Sequence, residues 1–227
     1  MCLVLERRLT LFTGIVEEVG SIEAVTRGKN AMQLSIRCTT ILTDVHIGDS
    51  ISVNGVCLTV AQFSNQQFLA DVMPETYKAT NLHTLRPGSP VNLERAMSAN
   101  GRFGGHFVSG HVDGTGEIMT VKRMENAIYI DIKMEPTFLK YLMPKGSVTV
   151  DGTSLTVFDV TDHGFTISLI PVTQADSIIG QKRVGEHVNI ECDMLAKYME
   201  RLLTTDKGNT VGSGISIEKL AASGFLG

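Results

Sequence analysis

The feature that most restricts the folds open to this chain is a long internal repeat. Residues 52–60 read Ser-Val-Asn-Gly-Val-Cys-Leu-Thr-Val and residues 149–157 read Thr-Val-Asp-Gly-Thr-Ser-Leu-Thr-Val, five of nine positions being identical at an offset of 97. Met73-Pro74-Glu75-Thr76 and Val91-Asn92-Leu93-Glu94 recur in the same register as Ile170-Pro171-Val172-Thr173 and Val188-Asn189-Ile190-Glu191. Thr13-Gly14-Ile15-Val16, with Gly20 and Ile22, recurs as Ser109-Gly110-His111-Val112, with Gly116 and Ile118, at an offset of 96. Landmarks kept in order at one spacing mark a duplication, and a unit of this length is a domain rather than a solenoid repeat. The boundary is expected near residues 98–108, around the glycine-rich stretch 100–105.

Within each copy the pattern is that of strands. Residues 51–53, 58–61, 68–72 and 91–93 are β-branched or alternating runs, and Asn54-Gly55, Ser64-Asn65 and Pro87-Gly88 punctuate them. In the second copy, residues 128–133 and 165–170 alternate, and Val148-Thr149-Val150 runs into an Asp151-Gly152 turn. Short strands at this spacing predict a small closed or nearly closed barrel in each copy. Short helices are expected over 136–142 and within 76–82. Beyond the second copy, Leu195, Tyr198, Met199 and Leu202 share one face of an amphipathic helix over 193–203, with Asp193 as its N-cap. That face either covers the chain's own core or meets another subunit, and the second is the expectation. Residues 205–215 read as a tail and 217–222 as one extra helical turn.

Composition closes off several function classes. A formal net charge of −4 without a Lys/Arg cluster supplies no footprint for nucleic acid or an anionic membrane. No apolar run approaches the roughly 20 residues of a spanning helix, so a soluble protein is expected. Cys2, Cys38, Cys57 and Cys192 are scattered without a Cys-x-x-Cys pair, which disfavours a disulfide framework or zinc site and fits reduced thiols. The expected compartment is the cytoplasm, with an organelle such as the plastid as the alternative.

Candidate chemistry gathers in two places. Ser50, Asn54, Cys57 and Thr59 lie around one turn; Cys57 by itself reads as a small core residue, and Ser154 replaces it in the second copy. His106 and His111 bracket a segment dense in glycine, which suits either a domain junction or close approach of backbone to a ligand. His-x4-His with Asp113 is a poor metal set, and no metal is expected. No glycine-rich dinucleotide or triphosphate motif is present, and no cofactor is expected. Two versions of one pocket suit a reaction between two like molecules, driven largely by proximity and orientation.

The stretches 12–17, 52–60, 104–113 and 151–157 together resemble the riboflavin synthase family of the alpha-chain type, from about residue 11 to 203. The resemblance implies an all-β fold: two tandem similar six-stranded Greek-key β-barrels with short helices, followed by a C-terminal α-helix. The implied division is an N-terminal extension at 1–10, barrels at 11–106 and 107–192, a trimerisation helix at 193–204 and a tail at 205–227. It implies a homotrimer in which the N-terminal barrel of one subunit faces the C-terminal barrel of a neighbour, with lumazine synthase as a further partner. Each barrel would bind one 6,7-dimethyl-8-ribityllumazine, and a four-carbon unit would pass between the two, giving riboflavin and 5-amino-6-(ribitylamino)uracil.

Carried over by motif, the first pocket comprises Gly14, Ile15 and Val16, Cys57, Leu58 and Thr59, and Asp71, Val72, Met73, Pro74, Glu75 and Thr76. The second comprises Gly110, His111 and Val112, Lys145, Ser154, Leu155 and Thr156, and Ser168, Leu169, Ile170, Pro171, Val172 and Thr173. The positions linked to catalysis are Ser50, Cys57, His111 and Asp193. Ten residues precede Phe12 where the family usually begins Met-Phe-Thr-Gly, so the extension is expected to turn away from the site or to be a processing remnant. The competing readings are a non-catalytic lumazine or flavin carrier of the same fold and an FAD-binding barrel module of a reductase.

Overall fold

A computed structural model describes residues 10–28 and 32–205. Among them twelve strands close into two antiparallel barrels of six. The first contains β1 (Glu18–Arg27), β2 (Met32–Arg37), β3 (Ser50–Val53), β4 (Val56–Phe63), β5 (Gln67–Val72) and β6 (Pro90–Arg95), in the order β1-β2-β5-β4-β3-β6. The chain leaves β2 for the far side of the barrel, returns through β4 to place β5 beside β2, and crosses to β6, which pairs with β1; this is a Greek-key path. The second barrel repeats it with β7 (Gly114–Met124), β8 (Ala127–Lys133), β9 (Ser147–Val150), β10 (Thr153–Thr161), β11 (Gly164–Leu169) and β12 (His187–Cys192).

Strand alternation explains the cores. Ile51, Val53, Leu58 and Val60 point into the first barrel, and Val148, Val150, Leu155 and Val157 occupy the same places in the second. Each such aliphatic side chain contributes about 1.5–3 kcal/mol when withdrawn from water. Register shifts recur as well, at Ile22/Ala24 and Ile118/Thr120, and at Val60/Gln62 and Val157/Asp159. Such irregularities bend strands and help a six-stranded sheet close on itself.

A pseudo-two-fold axis relates the barrels and passes through residues that meet their own repeat partners. Phe12 and Val108 exchange backbone hydrogen bonds at 2.8 and 3.2 Å. The turns Asn54-Gly55 and Asp151-Gly152 meet tip to tip, so closely that a Cβ on Gly55 would lie 2.8 Å from the Gly152 nitrogen. Around this contact the side chain of Asn189 donates to the Asn54 carbonyl at 2.8 Å and that of Asn92 to the Asp151 carbonyl at 2.8 Å. The main-chain amides of Asn81 and Ile178 donate to the side-chain oxygens of Asn189 and Asn92 at 2.7 and 2.9 Å. Most polar groups buried at the junction thus pair across it; the exceptions among the described residues are Asn54 Nδ2, which has no hydrogen-bond partner, and Asp151 Oδ2, which faces the Lys182 ammonium at 3.5 Å instead.

The short helices are α1 (Pro74–Ala79), α2 (Pro136–Leu139) and α3 (Pro171–Asp176), each opening with a proline in its first turn. The helix expected over 136–142 stops early. Tyr141 and Leu142 donate to Phe138 and Leu139, three residues back, and Pro144 then excludes the α conformation at Met143. From Leu195 the chain forms a separate unit containing most of α4 (Met194–Thr205). This helix is amphipathic, with Leu195, Tyr198, Met199 and Leu202 exposed on one face. The extension at 1–9, the tail from 206 and the extra turn at 217–222 lie outside the described residues.

Candidate functional site

The segment entering each barrel reaches across to the other. In its own barrel, Glu94 on β6 accepts from the Thr13 amide at 2.7 Å, the Thr13 hydroxyl at 2.8 Å and the Gly14 amide at 3.0 Å. Glu191 on β12 does the same for the Ser109 amide and hydroxyl, both at 2.7 Å, and the Gly110 amide at 3.0 Å. So held, Gly14 offers its carbonyl to the Ser154 amide of β10 at 2.7 Å, and Gly110 offers its carbonyl to the Cys57 amide of β4 at 2.9 Å. Both glycines are left-handed, at φ 76 and 77°, and a Cβ would lie 2.7 Å from Cβ of Ser154 or 2.6 Å from Cβ of Cys57. Burial pushes the Glu94 carboxyl up to about 7 against the opposing pull of the hydrogen bonds from Thr13 and Gly14.

This geometry corrects the grouping drawn from the repeat. Gly14, Ile15 and Val16 belong beside Ser154, whereas Gly110, His111 and Val112 belong beside Cys57. Sequence order groups a segment with the strands that follow it; the pairing across the axis exchanges the two.

Alternation along β3 and β4 turns Ser50, Ser52, Cys57 and Thr59 away from the core, and β9 and β10 do the same for Ser147, Thr149, Ser154 and Thr156. At the first pocket, burial raises the pKa of the Cys57 thiol, a hydrogen bond with Ser50 lowers it in part, and the charge of Glu191 raises it further. Cys57 is therefore a thiol near neutral pH, suited to donating a weak hydrogen bond. The Ser50 hydroxyl lies 3.2 Å from that of Thr10, beside a cleft of about 590 Å³ bordered also by Asp44, Asp49 and Met97. His111 is exposed on the segment that touches Cys57.

The second pocket is built differently. His106 is 9% exposed, with Nδ1 2.7 Å from Oγ of Ser154 and Nε2 3.1 Å from Oγ1 of Thr149. Burial lowers its pKa, and the charge of Asp193 raises it in part. Lys145 adopts a left-handed backbone at φ 67°, where the first copy has Gly48 at φ 93°.

The four expected catalytic residues thus divide. Ser50, Cys57 and the segment bearing His111 come together at the first pocket, while Asp193 lies near His106 at the second. Asp71, Met73, Glu75, Ile170, Pro171 and Val172 are exposed at the ends of β5 and β11 and the starts of α1 and α3; Pro74, Thr76, Ser168 and Thr173 are half-buried. Leu58, Val72, Leu155 and Leu169 send their side chains into the cores, so only their backbones are available to a ligand. His106 is the residue whose site placement sequence reasoning did not resolve. The glycines before it were the available signal, and the partners Thr149 and Ser154 lie more than 40 positions away.

The lumazine binding domain matches the chain twice, at residues 13–96 and 109–193, so the fold and its crossed pockets define a protein of the lumazine-binding two-barrel class. Riboflavin synthases of Bacillus subtilis (strain 168), Bacillus amyloliquefaciens and Actinobacillus pleuropneumoniae are 56%, 52% and 49% identical to it, each over 95% of this chain and 100% of the relative. The chain belongs to the riboflavin synthase family. Among solved structures, LumP complexed with 6,7-dimethyl-8-(1'-D-ribityl) lumazine shares the fold at a TM-score of 0.71 and 24% identity, covering 79% of this chain and 98% of LumP.

Proposed function

We propose that each barrel binds one 6,7-dimethyl-8-ribityllumazine and that the protein converts two such molecules into riboflavin and 5-amino-6-(ribitylamino)uracil, the last step of riboflavin biosynthesis. The observation that carries this reading is the crossed pair of similar but unequal pockets in a chain of the riboflavin synthase family. The four carbons gained by one substrate are those lost by the other, so the reaction balances without an external oxidant or reductant. Holding both molecules in register supplies on the order of 7–11 kcal/mol of the barrier reduction.

The chemistry starts with proton loss from the acidic 7-methyl group. His111 assists proton transfer, Ser50 and the protonated Cys57 stabilise the adduct formed by addition of water or a hydroxyl, and Asp193 orients groups contributed by a neighbouring subunit. Backbone amides and hydroxyls on the outward strand faces match the alternating donors and acceptors of a pyrimidinedione edge. The substrate-binding set is the one carried over by motif, regrouped as the crossed geometry requires.

Assembly as a homotrimer through residues 193–204 belongs to the same proposal, supported by the exposed apolar face of α4. So do division into barrels at 11–106 and 107–192, interaction with lumazine synthase, and a cytoplasmic location or one in an organelle such as the plastid. Among the described residues no helix is long and apolar enough to cross a membrane.

Incubation with 6,7-dimethyl-8-ribityllumazine tests the activity. Riboflavin and the diaminouracil product should appear in equal amounts. Two bound lumazines per chain with no riboflavin would instead identify a carrier.

A further inference from the structure

The clearest difference between the two pockets is a buried imidazole that bridges two outward-facing hydroxyls in the second, where His111 at the first stands exposed. His106 bridges Ser154 and Thr149 at 2.7 and 3.1 Å. At the corresponding places the first copy has Cys57 and Ser52, and the residue 96 positions before His106 is Thr10, whose hydroxyl instead meets Ser50. Delivery of the ring is built into the backbone. The His106 amide donates to the Thr13 carbonyl at 3.1 Å, and a Cβ on Gly105 would lie 1.9 Å from that same oxygen, so only glycine permits this approach.

We propose that His106 is a positioning residue of the second pocket, setting the direction of the Ser154 hydroxyl and hence whether that hydroxyl presents a donor or an acceptor to the ligand. The inference rests on the functional reading above. An uncharged imidazole has one N–H and one bare nitrogen, so it gives its two hydroxyl partners opposite assignments. If Nδ1 accepts from Ser154, the serine oxygen turns its lone pairs to the pocket and selects a ligand N–H; if Nδ1 donates, the serine proton is free for a ligand carbonyl. Asp193, the charged group acting on the ring, favours its protonated form, while burial opposes it. Two identical substrates with different roles require pockets with different polarity, and this bridge supplies a difference that the duplicated scaffold lacks.

The test compares His106→Asn with His106→Gln. The asparagine amide reaches the place of Nδ1 and keeps a partner for Ser154, whereas the glutamine amide reaches the place of Nε2 and keeps one only for Thr149. With fluorescence titration of the lumazine, steady-state kcat and KM, and thermal melts on the full chain, His106→Asn should stay within about twofold of the wild type. His106→Gln should weaken one of the two lumazine sites roughly three- to tenfold and leave the other unchanged. In a Ser154→Ala background the difference between the two variants should vanish. Equal effects, a better-preserved Gln variant, or loss of both sites together would show that His106 merely supports the fold. If the wild type binds two lumazines yet forms no riboflavin, the functional reading fails, and the affinity comparison still decides the role of His106.

Discussion

The carbonyl of Gly14 accepts the amide of Ser154 at 2.7 Å, so the segment that opens the first barrel completes a pocket on the second. Gly110 and Cys57 form the reciprocal contact at 2.9 Å. Each of these two contacts therefore joins one copy of the repeat to the other.

Gly14→Ala should impair the pocket at Ser154, and Gly110→Ala the pocket at Cys57. In each case a new Cβ would meet the opposite strand at 2.7 or 2.6 Å from a backbone that is already left-handed. A strained backbone of this kind costs on the order of 1–3 kcal/mol. NMR of bound lumazine, in which two unlike sites are expected to give two signals, should show a different signal lost in each variant. Loss of the same signal in both would refute the crossed arrangement.

The central contact carries an ion pair in one copy only. Asp151 is fully buried and lies 3.5 Å from the Lys182 ammonium; the equivalent positions in the first copy are Asn54 and Leu85. Burial raises the Asp151 pKa, and Lys182 is the leading influence holding it down. Lys182→Leu alone should cost about 3–5 kcal/mol by stranding a buried carboxylate. Adding Asp151→Asn imports the pair used by the first copy and should recover most of the loss, as read by denaturant unfolding.

Lys145→Gly should raise stability while weakening the second lumazine site. The left-handed backbone at Lys145 costs about 1 kcal/mol or more relative to glycine, which occupies the equivalent position at Gly48. A rise in melting temperature with unchanged lumazine affinity would remove Lys145 from the binding set.

Glu94 should make stability depend on pH. Its folded pKa of about 7 lies above the ordinary 4.5, so the native state binds more protons than the unfolded state between these values. The contribution is full below the unfolded pKa and is lost as pH rises through the folded one. Melting temperature should therefore fall between pH 5 and 8, and Glu94→Gln should flatten that fall. A Gln variant with the wild-type slope would place the titration elsewhere.

Much of this architecture is legible locally. The matched Asn-Gly and Asp-Gly pairs mark type I′ hairpins, and the structure holds Asn54 and Asp151 at φ 48 and 42°, as such turns require. The inward sets on β3, β4, β9 and β10 follow from alternation. The outward row of Ser50, Cys57 and Thr59 follows as well, because strand period two sends neighbours to opposite faces. The helix expected over 136–142 ends at Leu139 because the amides of Tyr141 and Leu142 bond three residues back, a tightening of the last turn that apolar spacing does not reveal.

Duplication and the barrel-forming strands were set by the sequence alone, since the repeat is read by direct comparison of the two copies and turn chemistry and apolar alternation act over a few neighbouring residues. Tertiary structure decided which segment serves which pocket, and it brought His106 to Ser154 and Thr149. Those pairings depend on how two complete barrels pack about an axis. The Gly14 carbonyl and the Ser154 amide are 140 positions apart, and only closure of both sheets brings them together.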